Sequence, residues 1–88
     1  MSEILEKKIR KDNFSTNITH IVQTDKGTYY VDSVYIPTTN LYETMIFNYD
    51  SVEQEVLNWR EIYCETYHNF EEMKKRHTEI VNKLEEYV

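Results

Sequence analysis

Glycine, proline and cysteine are nearly missing from this sequence, with one of each among 88 residues. That scarcity excludes a Gly-rich phosphate loop, a collagen-like repeat and a Pro/Gly-rich linker. The lone Cys64 can form no internal disulfide and cannot by itself anchor a cysteine-based zinc site, which fits a reducing compartment. Apolar runs stop at two or three residues, far short of the roughly 20 that a membrane-spanning helix needs. Basic residues are outnumbered, 10 against 16 acidic, for a net charge of -6. That balance repels a phosphate backbone, so no direct nucleic-acid binding is expected. The opening MSEILEKKIRKDN has no apolar core segment and no small-residue cleavage site, and the reading is a cytoplasmic protein with no membrane partner.

What the chain does have is 40% apolar residues, eight of them tyrosine, enough for one thin two-layer core and a single domain over 1–88. The clearest pattern is C-terminal, where Phe70, Met73, His77, Ile80, Leu84 and Val88 recur at spacings of three and four. This is one stripe of a helix. Asn69 is a suitable N-cap, Glu72 completes a capping box, and Glu71 and Glu72 place negative charge in the first turn. On this reading Lys75, Arg76, Glu79 and Lys83 form the solvated face.

Upstream the pattern shifts to short β-branched and aromatic runs. Ile18 to Thr24 and Thr28 to Ile36 flank Asp25-Lys26-Gly27, a hairpin whose turn needs the positive φ that Gly27 supplies. Pro37 to Asn40 makes the next turn, Leu41 to Tyr49 a third strand, and Trp59 to Tyr67 a fourth. The expected fold is α+β, a four-stranded antiparallel meander with the Phe70–Tyr87 helix packed on one face. Residues 1–13 read as a short helix or a flexible arm, and DSVEQEVLN fits a helical turn and a hairpin loop equally well.

Among chemistry-bearing residues, strand alternation puts Glu43 on one face with Leu41, Met45 and Phe47, while His77 lies in the helix stripe. If both point into one core, Glu43 and His77 form a buried structural pair. No Ser-His-Asp, GxSxG, kinase or HExxH pattern occurs, and His20, His68, His77 and Cys64 follow no zinc spacing. The expectation is therefore no catalytic residue, no metal and no cofactor. Cys64 reads as an interior strand residue whose neighbours Glu61 and Glu65 raise its thiol pKa. Tyr29 and Tyr30 cannot share one face, so several tyrosines must reach the surface. Exposed tyrosine beside carboxylates is a protein-binding composition, and Tyr29, Tyr35, Glu53, Glu55, Glu61 and Glu65 are the candidate partner-binding residues.

Ser33-Val34, Tyr42-Glu43-Thr44-Met45-Ile46-Phe47, Tyr67, Glu72-Met73, His77 and Ile80-Val81 together resemble a group of small proteins of tailed bacteriophages. In that group a YETMxF strand leads to a helix that carries a histidine. The resemblance spans Val31 to Leu84, and this chain departs from it in lacking a Gly-rich turn before YETMIF and in carrying an extra hairpin and N-terminal arm. It implies a phage product made in the host cytoplasm and no defined activity. The function expected is a non-catalytic binding protein that inhibits a host protein in an anti-defence role, for instance a nucleic-acid-binding effector whose basic groove accepts an acidic surface. The alternatives are an oligomer that sequesters a nucleotide signal and a virion or assembly accessory; homo-oligomerisation stays open.

Overall fold

The computed structural model describes residues 2–11 and 16–88. The strands are β1 (Glu3–Lys11), β2 (Thr16–Thr24), β3 (Gly27–Ile36), β4 (Leu41–Asp50), β5 (Glu55–Val56) and β6 (Tyr63–Tyr67). The helix α1 (Phe70–Asn82) follows and a short 3-10 turn, Leu84–Glu86, continues it. The α+β class expected from sequence is the one observed, with six strands in place of four. All pairings are antiparallel, in the order β1-β2-β3-β4, with β5 and β6 both pairing with β4.

Local chemistry accounts for the connections. Gly27 takes φ +148 at the β2–β3 turn, and the Thr24 hydroxyl accepts from Lys26 N–H and donates to the Gly27 carbonyl. Asn40 closes the β3–β4 turn in the left-handed region, φ 56, a conformation asparagine tolerates. Asn69 caps α1 by accepting from Glu72 N–H at 2.8 Å, as the capping pattern predicts. No basic residue lies in the last turn of α1. Lys26 supplies that charge from the hairpin, its ammonium donating to the carbonyls of Glu85 and Val88.

Two expectations need correction, and one open alternative is decided. The N-terminal helix is absent, and Glu3–Lys11 is instead an edge strand on β2, with a bulge at Leu5 between the Ile4↔Val22 and Glu6↔Ile21 pairs. Residues 12 and 13 of that arm lie outside the described residues. A helix of about ten residues is marginal in isolation, whereas a strand gains a ladder on an open edge. The 50–58 stretch holds no helical turn, because the Asp50 carboxylate accepts from Val52 N–H and Glu53 N–H and closes a hairpin loop. The fourth strand does not begin at Trp59. Tyr49 pairs with Val56 but Ile46 with Tyr63, so the returning chain spends seven steps on three steps of β4, and the surplus bulges outward with Trp59 on it.

The helix packs across the face formed by Ile18, His20 and Val22 of β2, Tyr29, Val31 and Ser33 of β3, and Thr44 and Ile46 of β4. Two apolar clusters result, Val22, Tyr29, Val31 and Ile46 with Ile80, Val81 and Leu84, and Ile18 and Tyr67 with Met73. Between them sits a polar seam. His77, 1% exposed, meets Ser33 Oγ through Nδ1 at 2.5 Å and His20 Nδ1 through Nε2 at 2.8 Å, and Ser33 Oγ meets Thr44 Oγ1 at 2.6 Å. A neutral imidazole offers one donor and one acceptor, so proton direction across His77 is concerted. Either His20 donates to His77 and His77 to Ser33, with the Ser33–Thr44 bond able to run either way, or His77 donates to His20 and accepts from Ser33, which then accepts from Thr44.

A second tie lies at the helix flank. Arg76 donates through Nε and Nη2 to the two Glu65 oxygens at 2.7 and 3.1 Å, through Nη1 to Glu79 at 2.6 Å and through Nη2 to Tyr87 at 2.9 Å. Tyr63 and Tyr67 donate to the same carboxylate. Met73, His77, Ile80 and Leu84 are buried and Lys75 and Lys83 exposed, as the stripe predicts, but Arg76 and Glu79 are half-buried because this network draws them onto the sheet.

These ties set the acid response. Burial lowers the pKa of His77 to about 3, with repulsion from His20 and Lys7 adding to it, and burial then Lys7 lower that of His20. Burial works to raise the Glu65 pKa, yet hydrogen bonds from Arg76, Tyr63 and Tyr67 overcome it and hold the carboxyl at about 2. A histidine lowered on folding contributes stability that is full above its unfolded pKa of about 6.5 and is lost as pH falls toward the folded value. The depressed Glu65 contributes stability present above its unfolded pKa and lost as pH falls from about 4.5 toward 2. Urea unfolding should therefore be flat between about pH 7 and 8 and lose roughly 2–3 kcal/mol between pH 6.5 and 4. His77→Leu should lower stability at pH 7 and flatten that slope; equal wild-type stability at pH 7 and 4 would contradict the seam.

Candidate functional site: the uncovered sheet face

Strand alternation that sends Tyr29, Val31 and Ser33 under the helix sends Tyr30, Asp32 and Val34 to the other face. No helix covers that face among the described residues. Cross-strand pairing builds one row from Glu6, Ile21, Tyr30 and Phe47, and a second from Thr19, Asp32, Met45 and Cys64. Phe47 and Ile21 are buried there, so this face carries a small apolar layer of its own.

The lid on that layer is Trp59. Its ring stands edge-on to Phe47 at 5.2 Å between centroids and to Tyr30 at 6.0 Å, while Tyr30 stacks on Tyr49 at 6.1 Å. Edge-to-face contacts of this kind contribute about 0.5–1.5 kcal/mol beyond area burial. Trp59 is nonetheless 69% exposed. Two adjoining hollows of about 180 and 360 Å³ share Glu6, Ile21, Tyr49 and Gln54, and the larger also meets Tyr30, Glu55, Val56 and Trp59. The result is an aromatic trough with carboxylates on its rim and, among the described residues, no lysine or arginine lining it. The same segment exposes Val52, Leu57 and Ile62. Exposed apolar residues grouped in this way mark interaction surfaces, whereas scattered single ones do not.

The sequence-derived candidates separate. Glu53, Glu55 and Glu61 are exposed and flank Trp59 along the chain. Tyr29 is buried in the core under the helix and cannot face a partner. Glu65 is committed to Arg76, Tyr63 and Tyr67. Tyr35 lies at the far end of β3, its hydroxyl donating to Asn40 Oδ1 at 2.6 Å. The Glu43–His77 pair does not form. Glu43 is on the uncovered face, where Cys64 Sγ donates to it at 2.7 Å, and His77 finds its partners in Ser33 and His20 on the covered one. Alternation named the two faces of β4 correctly, but both carry large apolar residues, and the choice of Glu43's face as the core was the wrong one.

Sequence reasoning missed Trp59, Leu57 and Ile62 by placing Trp59 in a strand. The cue was the consecutive polar pair Arg60-Glu61, which breaks the alternation that a continuous strand from Trp59 requires. Ser33, His77 and His20 have the order of a nucleophile and its bases, but Ser33 is fully buried and His77 nearly so, and no substrate reaches them. Among the described residues no three His, Cys, Asp or Glu side chains converge as metal ligands would. Asp32 accepts from the Thr19 hydroxyl at 2.9 Å, and burial raises its pKa more than that bond lowers it. Compared with known proteins, the chain matches no protein family, no curated protein and no solved structure.

Cys64 is exposed, against the interior position expected, yet its chemistry is muted. Partial burial comes first, then the hydrogen bond to Glu43 and the charges of Glu43, Glu61 and Glu65, and together they push the thiol up to about 12. At pH 8 iodoacetamide should modify Cys64 at least about a hundredfold more slowly than an unperturbed thiol of pKa near 8.5. Glu43→Gln should accelerate that reaction. Intact-mass kinetics decide it, and alkylation as fast as free cysteine would refute the carboxylate's hold on the thiol.

Proposed function

We propose that this protein is a non-catalytic binding protein that grips a basic partner protein on the uncovered sheet face. The observation that carries the reading is Trp59, fixed by Phe47 and Tyr30 beneath it, mostly exposed above, and set among Glu53, Glu55 and Glu61. A preordered aromatic anchor loses little conformational entropy on binding, and tryptophan is enriched among residues that dominate interface energy. The surrounding carboxylates steer a cationic surface toward it.

With the resemblance to small phage proteins, the partner class that follows is a host protein, and an anti-defence role against a nucleic-acid-binding effector is its most specific form, in the host cytoplasm. An acidic surface of this kind competes for a groove that otherwise holds phosphates. A nucleotide-sequestering oligomer needs a free cation beside stacking tyrosines. Arg76 lies 5.9 Å from the Tyr87 ring, but its nitrogens are already engaged by Glu65 and Glu79, which favours the protein-binding reading.

Affinity capture from bacterial lysate with wild-type and variant baits tests it. Trp59→Ala should still fold, losing roughly 1–3 kcal/mol with its two edge-to-face contacts, and should weaken partner affinity by about tenfold or more. Reversing Glu53, Glu55 and Glu61 to lysine should slow association and flatten its salt dependence with folding intact. A partner bound equally well by all three forms would sink the reading.

A further inference from the structure

A second, chemically different groove lies on the helix-bearing face at the opposite end of the sheet. The helix starts at Phe70 and runs toward the β2–β3 turn, where Lys26 meets Glu85. The end of the sheet beside the β3–β4 turn is therefore left open. There a groove of about 770 Å³ runs between that turn and the His68–Phe70 connection. Its aromatic wall is Tyr35, Tyr42 and Phe70. Tyr35 and Tyr42 are cross-strand neighbours with centroids 5.0 Å apart, and Tyr42 and Phe70 are 6.2 Å apart, with ring planes inclined at 50° and 59°.

Its polar groups are the Asn40 and Asn69 amides, the Tyr35 and Tyr42 hydroxyls and the His68 imidazole. Asn40 and Asn69 both line the groove, and the oxygen of each amide is occupied, by Tyr35 O–H at 2.6 Å and by Glu72 N–H at 2.8 Å. With the oxygens engaged, each amide has its NH2 group left to offer, and two oriented donors flank the aromatic wall. Among the described residues, no lysine, arginine, aspartate or glutamate lines the groove.

We propose that this groove docks a proline-rich extended segment of a partner protein. Such a segment, in a polyproline II helix, presents flat apolar rings and backbone carbonyls and, at proline, no N–H, so its polar groups are acceptors only. The aromatic wall complements its rings and the two amide NH2 groups complement its carbonyls, and the preformed helix enters with little ordering cost. A nucleotide is a poorer match, because among the described residues no lysine or arginine lines the groove to hold its phosphates. A basic peptide is poorer too, because no carboxylate lines the groove. This site is separate from the Trp59 face and stands or falls independently of it.

The test is a nitrogen-15 NMR titration of the whole chain with acetyl-decaproline-amide, alongside a Gly-Ser peptide of equal length and adenosine. Decaproline should shift the Asn40 and Asn69 side-chain amides and the Tyr42 and Phe70 neighbourhood, with the Trp59 indole unmoved. Tyr42→Ala should weaken the response by about tenfold. Since Tyr42 also packs on the core, Asn40→Gly is the second variant: glycine accepts φ 56, so the turn survives while one donor is removed, and affinity should drop about threefold. No shifts with millimolar decaproline, shifts centred on Trp59, an equal response to the Gly-Ser peptide, or a response to adenosine alone would each overturn the proposal.

Discussion

Everything on the covered face is arranged around one buried imidazole. His77 has no water to turn to, so both ring nitrogens must meet protein groups, and only one placement of α1 on the sheet brings Ser33 to Nδ1 and His20 to Nε2. Apolar packing alone is non-directional and would tolerate sliding of the helix along the sheet. The hydrogen-bonded seam does not, since displacement strands Ser33, Thr44 and His77 together. Buried side-chain polar atoms without a partner are absent among the described residues, so the constraint is fully satisfied. The seam also divides the core into two apolar clusters, one toward each end of the helix.

Charge is distributed with a similar division of roles. Glu65 holds Arg76, and through it Glu79 and Tyr87, in a half-buried network that fastens the flank of the helix to β6. Ion pairs at exposed positions contribute little, but this one has two-point geometry, with both Glu65 oxygens engaged, and lies partly out of water, which is where such pairs gain strength. Glu53, Glu55 and Glu61 do none of this and remain at the surface. A net charge of -6 is thus not one property. Part of it is internal fastening, and another part, Glu53, Glu55 and Glu61, lies exposed along the segment that carries Trp59.

The two sides of the sheet reach burial by different means. One is covered by a helix. The other covers itself, because the strand returning alongside β4 bulges out and lays Trp59 over Phe47 and Tyr30. A residue recruited in this way is ordered yet accessible. That combination distinguishes an interaction surface from ordinary solvated sheet, where side chains are either packed or free.

Much of the architecture was legible along the chain. The helix stripe, its Asn69 cap, the Gly27 turn and three of the strands follow from periodicity and turn chemistry, which act over a few residues. The N-terminal strand was not legible, because its hydrogen bonds go to β2 and its own residues suit a helix equally well. Nor was the identity of His77's partners, since alternation says that Glu43 and Thr44 face opposite ways but not which way is inward. Exposed carboxylates could be picked out by composition, whereas Glu65 and Tyr29 could not be removed from that set until Arg76 and the helix were seen above them. By itself the sequence determined the local elements, because turn residues and side-chain period act through neighbours in the chain. Only the tertiary structure decided which face is core, which carboxylate is a fastening and which tryptophan is presented, because each depends on pairing between residues far apart in the chain.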